Sequence, residues 1–262
     1  MSQNTENKIL TGVIWKQLLI FFFPILIGTF FQQLYNTVDA VIVGRFVGKE
    51  ALSSVGGSAG QIINLVVGFF TGLTAGGTVL ISQYYGAGQR ERLEEALHTA
   101  YAFSIVGGIL FGIAGVAATP SVLRMMNTPE ELMAQSTIYM QVYFGGLVFV
   151  FLYNMGASIL RAMGDSRRPL YFLMVCSVVN IILDIVFVVV ANLGVLGVAV
   201  ATLISQAVSA VLVTYTLMYH TEGMTLRIKE IRLNMPVLKN ILRIGLPTGI
   251  QSSMYSLSNM II

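Results

Sequence analysis

Charge is scarce in this sequence. Only 10% of its 262 residues are Asp, Glu, Lys or Arg, against about 25% in an ordinary soluble domain. So few charges cannot clothe a globular surface, which argues against a soluble enzyme. Intrinsic disorder is excluded as well, because 55% of the residues are hydrophobic and a disordered chain has too little apolar surface to bury. A single cysteine, Cys176, excludes a disulfide scaffold and any thiolate zinc or iron–sulfur centre. Two histidines, His98 and His220, are too few for a histidine metal site. Long apolar runs remain, with a mean hydropathy of +0.78. The fold class expected is an all-α polytopic membrane protein.

A hydrocarbon core of about 30 Å takes about 20 apolar residues as a helix. Six complete spans are expected, over residues 17–43, 53–81, 97–119, 136–160, 170–191 and 196–219, and a seventh begins near residue 241. Residues 1–16 then form a polar N-terminal segment without the pattern of a cleavable signal. Residues 17–219 form a six-helix transmembrane bundle, 220–240 a linker, and 241–262 the start of span 7. In the linker Leu226, Ile228, Ile231 and Leu233 mix with Arg227, Lys229 and Arg232, which suits either a surface helix at the membrane interface or a solvated linker.

Lysine and arginine set the orientation. With the N-terminus on one side and the spans alternating, that side receives 12 basic residues and the other receives Arg45, Lys49 and Arg124. The bias places the N-terminus in the cytoplasm of a multi-pass protein of the plasma membrane. The net charge of +3 calls for no nucleic acid partner, since the basic loops face anionic lipid. Trp15 reads as an interfacial anchor. Gly68, Gly72 and Gly76, and again Gly108 and Gly112, form small-residue faces for close helix packing.

Span 7 opens like span 1. A shift of 223 residues brings Lys16, Leu19, Pro24, Ile27, Leu34 and Asn36 onto Lys239, Leu242, Pro247, Ile250, Leu257 and Asn259. Six intervening helices give the two copies the same orientation, a parallel repeat of the kind transporters use. The chain therefore reads as one lobe plus the opening of a second, with the missing C-lobe expected in a longer parent chain; a half-length protein that dimerises is the alternative.

Two acids fall inside spans, Asp39 in span 1 and Asp184 in span 5. An acid at a span centre costs about 2.5–3.5 kcal/mol on insertion scales, and no intramembrane Lys or Arg is available to pair with either. Both sit about 8–11 Å below the outer boundary at 1.5 Å per residue. Asn180 lies one turn before Asp184 on the same face, and Thr202 of span 6 is at the same depth. Two carboxyls, an amide and a hydroxyl make a hard-oxygen cluster that can hold Na⁺, or a proton shared between carboxyls. For Asn180 and Thr202 taken singly, interhelical hydrogen bonding is the competing role. Gln32, Tyr35, Asn36 and Asn154 are candidates to line a substrate cavity or to join helices. Pro24 removes the backbone bond to Ile20 and is expected to kink span 1.

Four segments resemble the multidrug and toxic compound extrusion (MATE) transporters: FPILIGTFFQQLYNTVDAVIVGRFVG (23–48), TAGGTVLISQYYGAGQ (74–89), ILRAMGDSRRPLYF (159–172) and NIILDIVFVVVANLGVLGVAVATLISQ (180–206). The resemblance covers essentially the whole chain as the N-terminal lobe of a twelve-helix protein. It implies a secondary antiporter that exports a drug-like, cationic or amphipathic small molecule in exchange for Na⁺ or H⁺, with no cofactor beyond the coupling ion. It is closest to the DinF-like branch, whose cation site lies in the N-lobe. The matching positions here are Asp39, Asn180, Asp184 and Thr202, and the family's bend maps onto Pro24. The stretch after Pro247, TGIQSSMYSLSN, has no acid, in agreement with an N-lobe site. Two other readings stand beside this one. A lipid-linked saccharide flippase shares the related fold but carries cationic cavity residues that these spans lack. An intramembrane aspartyl protease would need Tyr-Asp and Gly-x-Gly-Asp contexts, whereas Asp39 follows Val38 and Asp184 follows Leu183.

Overall fold

Backbone groups inside lipid must find partners within the protein, so the apolar runs can only fold as helices. The computed structural model describes residues 14–221 and 224–261; most of the expected N-terminal segment 1–16 lies outside them. Every long element is helical. Span 1 is α1 (Ile14–Ile42), continued by a π-helical turn at Val43–Val47. Span 2 is the short α2 (Lys49–Gly56) followed by α3 (Ser58–Gly86). Span 3 is α4 (Arg90–Met125). Span 4 is α5 (Glu130–Gly145) and α6 (Leu147–Ala162), which meet at a bend of 50°. Span 5 is α7 (Arg167–Asp184), continued by a π-helical segment at Ile185–Val190. Span 6 is α8 (Gly194–Tyr219), and α9 (Met235–Ile261) opens span 7. Among the described residues five helices are long and apolar enough to cross a membrane, or six when the bent pair counts as one.

The helices overrun the expected spans, because the charged first turns outside the lipid are also helical. Span 4 starts at Glu130 rather than 136, and span 7 at Met235 rather than 241. Proline does not break α1, which runs through Pro24 as one helix. The bend in span 4 falls at Gly145–Gly146, two residues of poor helix propensity.

The Gly-Asp-x-x-x-Pro turn has a local cause. Gly164 takes φ +89°, the left-handed conformation that ends α6. Asp165 Oδ1 then accepts the backbone N–H groups of Arg167 and Arg168, each at 3.1 Å, so it caps the free amides of α7. Pro169 sits in the first turn of α7, where its missing N–H costs nothing.

Two apolar clusters hold the bundle. One joins Ile42, Val43, Phe70, Phe144, Phe151 and Val198, with the Phe70 and Phe151 rings stacked at 3.4 Å. The other lies toward the basic loops and joins Leu80, Leu97, Tyr101, Met155, Leu217 and Ile241. Met224 and Leu226 of the linker belong to it, 2% and 1% exposed. The linker is thus pinned at Met224 and Leu226, while residues 227–230 and Arg232 stay exposed. Between Met224 and Asn234 the helical piece is a 3₁₀ turn at Ile228–Glu230. Met224, Leu226 and Ile228 alternate with Thr225, Arg227 and Lys229, a period of two that suits extended chain rather than helix.

The glycine faces set the closest approaches. A Cβ at Gly72 would lie 2.5 Å from Gly249 Cα, one at Gly245 would lie 2.5 Å from Leu73 O, and one at Gly76 would strike Ile241 O. Spans 2 and 7 thus meet backbone to backbone. Gly108 opens the same kind of space against Val148, at 2.5 Å from its Cα. Overpacking such a contact costs about 1–3 kcal/mol. Gly76→Ala is expected to lower thermal stability in detergent, whereas Gly86→Ala, with nothing within 4 Å of the new methyl, is expected to leave it unchanged; unfolding scans of the two variants check this.

Candidate cation site

Span 1 packs against span 5, and span 5 against span 6. These two contacts carry the intramembrane acids inward. Asp39 is 9% exposed, and Asn180 and Asp184 are fully buried. The Asp39 and Asp184 carboxyls lie against each other. Asn180 is one turn before Asp184 on the same buried face of α7. Register places Thr202 opposite them. The Cys176 side chain lies against Ser205 and Ser209 of α8, and two antiparallel helices in contact at those positions bring Asn180 level with Thr202, which is 2% exposed.

The polar atoms of this group are unpartnered. Asp39 Oδ1, both Asp184 oxygens, Asn180 Oδ1 and Nδ2, and Thr202 Oγ1 are buried with no hydrogen bond from the protein. Among the described residues the one other such atom is Thr128 Oγ1, in the loop between α4 and α5. Nor does a basic side chain reach the acids: the ion pairs among the described residues are Arg168–Asp165 and Arg227–Glu230, both at helix ends or in the linker. Buried polar groups are normally hydrogen-bonded, and leaving one unmade costs about 1–3 kcal/mol. Six such atoms on three packed helices are acceptors and a donor left for a partner that is not a side chain of the protein. No cluster of three His, Cys, Asp or Glu side chains occurs among the described residues, so a thiolate or imidazole metal centre is not what these residues make.

Each acid sits at the edge of a π-helical turn. Asp39 lies four residues before Val43–Val47, and Asp184 directly before Ile185–Val190. The Gly48 N–H bonds to Val43 O at 3.0 Å and the Ala191 N–H to Val186 O at 2.9 Å, both spanning five residues. The two segments touch each other. Such turns change helix register locally and occur often at functional sites. Their sequences, VGRFV and IVFVVV, carry no signal that separates them from α-helix.

The other expected residues divide. Tyr35, one turn before Asp39, is partly buried and close enough to feel the Asp39 charge. Gln32 and Asn36 lie on an exposed face of α1, where the Asn36 amide donates to Gln33 Oε1 at 3.4 Å. Asn154 donates to Val150 O of its own helix at 2.8 Å. The structure adds Tyr139, 8% exposed, whose phenol is close enough to Asp39 and Asp184 to feel both. Its ring lies 6.4 Å from that of Tyr143, one turn on. The sequence reading passed over Tyr139, because nothing along α5 says which residues of other helices it meets.

The chain as a whole is similar to known proteins. The MatE family model matches residues 24–186. A Bacillus subtilis protein named "Probable multidrug resistance protein YoeA" is 31% identical over 255 residues, which is 94% of this chain and 55% of that one. The "Probable multidrug resistance protein NorM" of Thermotoga maritima is 26% identical, over 92% of this chain and 52% of the other. A solved outward-facing conformation of a multidrug resistance MATE family transporter superposes with a TM-score of 0.87 at 27% identity, covering 96% of this chain and 56% of that one. The chain thus spans about half the length of these relatives. With the family model matched over more than half the chain and this fold around it, the protein belongs to the MATE family of membrane transporters and is not an enzyme.

Proposed function

We propose that this chain supplies the ion-coupling half of a secondary antiporter that exports drug-like organic solutes in exchange for Na⁺ or H⁺. The observation that carries the reading is the pair of neighbouring, unpartnered carboxyls of Asp39 and Asp184 in an apolar bundle with no cation of the protein beside them. The relatives' names speak of multidrug resistance, and the solute class is taken from them. Asp39, Asp184, Asn180 and Thr202 are the ligands in this proposal. Their oxygens suit a hard cation, and a proton shared by the two carboxyls serves the same role. The placement in the first half of the family's length follows the DinF-like reading. The plasma membrane, with the basic loops cytoplasmic, is the location that goes with it.

Coupling needs a difference in ion affinity between two conformations. Spans 1 and 5 carry one acid each, so any movement of span 1 relative to span 5 separates the carboxyls and changes that affinity. Pro24 leaves Ile20 O without its helical donor and is the position at which span 1 would bend. Tyr35, Gln32, Asn36 and Asn154 are the proposed contacts to the solute; Tyr35 joins that surface to Asp39. Tyr139 enters as an outer partner of the acids.

Asp39→Asn and Asp184→Asn are each expected to abolish efflux driven by an imposed ion gradient while the protein still inserts. The assay is solute efflux from proteoliposomes of the protein as its gene encodes it, with Na⁺ and pH gradients imposed separately. The gradient that drives the wild type identifies the ion, and full efflux by Asp39→Asn would overturn the assignment. Tyr139→Phe is expected to weaken ion dependence about tenfold, the scale of lost outer-shell partners. It should leave the maximal rate and the thermal stability unchanged, as a titration of efflux against ion concentration would reveal.

A further inference from the structure

The basic-loop end of the bundle holds a second built feature. Residues 224–234 run as a strap from the end of α8 to the start of α9, laid across the first turns of α4. Three polar contacts hold it there. The backbone N–H of Arg227 donates to His98 Nε2 at 3.0 Å. The backbone N–H of Asn234 donates to Thr99 Oγ1 at 3.4 Å, and the Asn234 amide donates to Glu95 Oε1. Beside them the Leu226 N–H donates to Leu217 O at 3.0 Å, tying the strap to α8. A polar cavity of about 590 Å³ lies between α4 and the strap, lined by Glu91, Arg92, Glu94, Glu95 and His98 on one side and Lys229, Glu230 and Arg232 on the other.

His98 is unusual among these contacts. Its side chain is 4% exposed, and both ring nitrogens are engaged. Nδ1 lies 2.6 Å from Glu94 O, which can only accept, so Nδ1 carries the proton. Nε2 must then be the bare nitrogen that receives the Arg227 N–H. Only the neutral ring in this one tautomer satisfies both contacts. A second proton on Nε2 would set N–H against N–H and break the strap's attachment at Arg227. The charged groups around the ring come from both elements. α4 presents Glu91, Arg92, Glu94 and Glu95, and the strap presents Arg227, Lys229, Glu230 and Arg232. Glu230 is already engaged by Arg227 at 2.9 Å.

We propose that His98 is a proton-operated latch: neutral, it clamps the strap that joins span 6 to span 7 onto span 3; protonated, it lets residues 227–232 go while the anchors at Leu226 and Asn234 hold. The sign follows from the geometry. Acidification on the strap side opens the latch, and neutral or alkaline pH closes it. Imidazole is in general the side chain whose charge changes in the physiological range, and the latch is built on one. Release of this stretch slackens the connection through which span 7 is reached.

Two adjacent amides make the test internal. Hydrogen exchange is measured at single-amide resolution in lipid nanodiscs between about pH 8 and about pH 5.5, with the intrinsic rates divided out. Arg227 N–H is expected to lose protection about tenfold on acidification, the scale of one hydrogen bond. Leu226 N–H, bonded to a carbonyl that does not titrate, is expected to keep its protection. In His98→Gln the side chain cannot titrate, and the pH dependence at Arg227 is expected to vanish whether or not the glutamine oxygen takes over the bond. The proposal is overturned if Arg227 protection does not change with pH in the wild type. It is also overturned if Leu226 changes in parallel, or if His98→Gln keeps the pH dependence. None of these outcomes depends on Asp39 or Asp184.

Discussion

Lipid offers no hydrogen-bond partner, and that constraint organises everything else in this protein. Each backbone amide must be satisfied within its own helix, so the chain becomes a set of long rods joined by short turns. The rods cannot be driven together by the hydrophobic effect, because lipid tails are as apolar as leucine; they associate through close packing. Glycine is what permits the closest packing here. Gly72, Gly76, Gly245 and Gly249 bring spans 2 and 7 into backbone contact, and Gly108 and Gly112 do the same for spans 3 and 4. The exposed leucines, phenylalanines and isoleucines of α1 and α4 need no explanation as a flaw. In a membrane they are the proper surface.

The same constraint makes the acids conspicuous. A carboxyl in a medium without donors has to be offset, and neighbouring helices supply Asp39 and Asp184 with no donor and no base. The bundle spends stability to hold them together, and the π-helical turns beside both are part of that local departure from regular structure. Regular helix elsewhere and irregular helix at the acids is the pattern of a scaffold that carries a site. At the other end of the bundle the polar economy is reversed: the strap over α4 meets its bonds through His98, Thr99 and Glu95, and only one protonation state of His98 allows it.

Much of this was legible without coordinates. The number of spans, their order and the isolation of two acids follow from apolar run length and from the scarcity of charge. The pairing of Asp39 with Asp184 was legible as equal depth, and Asn180 as a neighbour one turn away. Tyr139 was not, because its nearness to the acids comes from the packing of α5 beside spans 1 and 5 and not from any pattern within α5. The pinning of the strap at Met224 and Leu226 was not legible either. Its apolar residues alternate at a period of two, and whether such a stretch floats or is pinned depends on a histidine 129 residues earlier in the chain.

The sequence by itself determined that this is a helical membrane protein with two unpaired intramembrane acids, because insertion energy is summed residue by residue along one segment. Tertiary structure decided the rest: that the two carboxyls are neighbours, that Tyr139 lies near them, that spans 2 and 7 meet through glycine, and that His98 bonds to the strap. Those are relations between segments far apart in the chain. They arise from how rods of fixed shape pack against one another, and no local property of either partner encodes them.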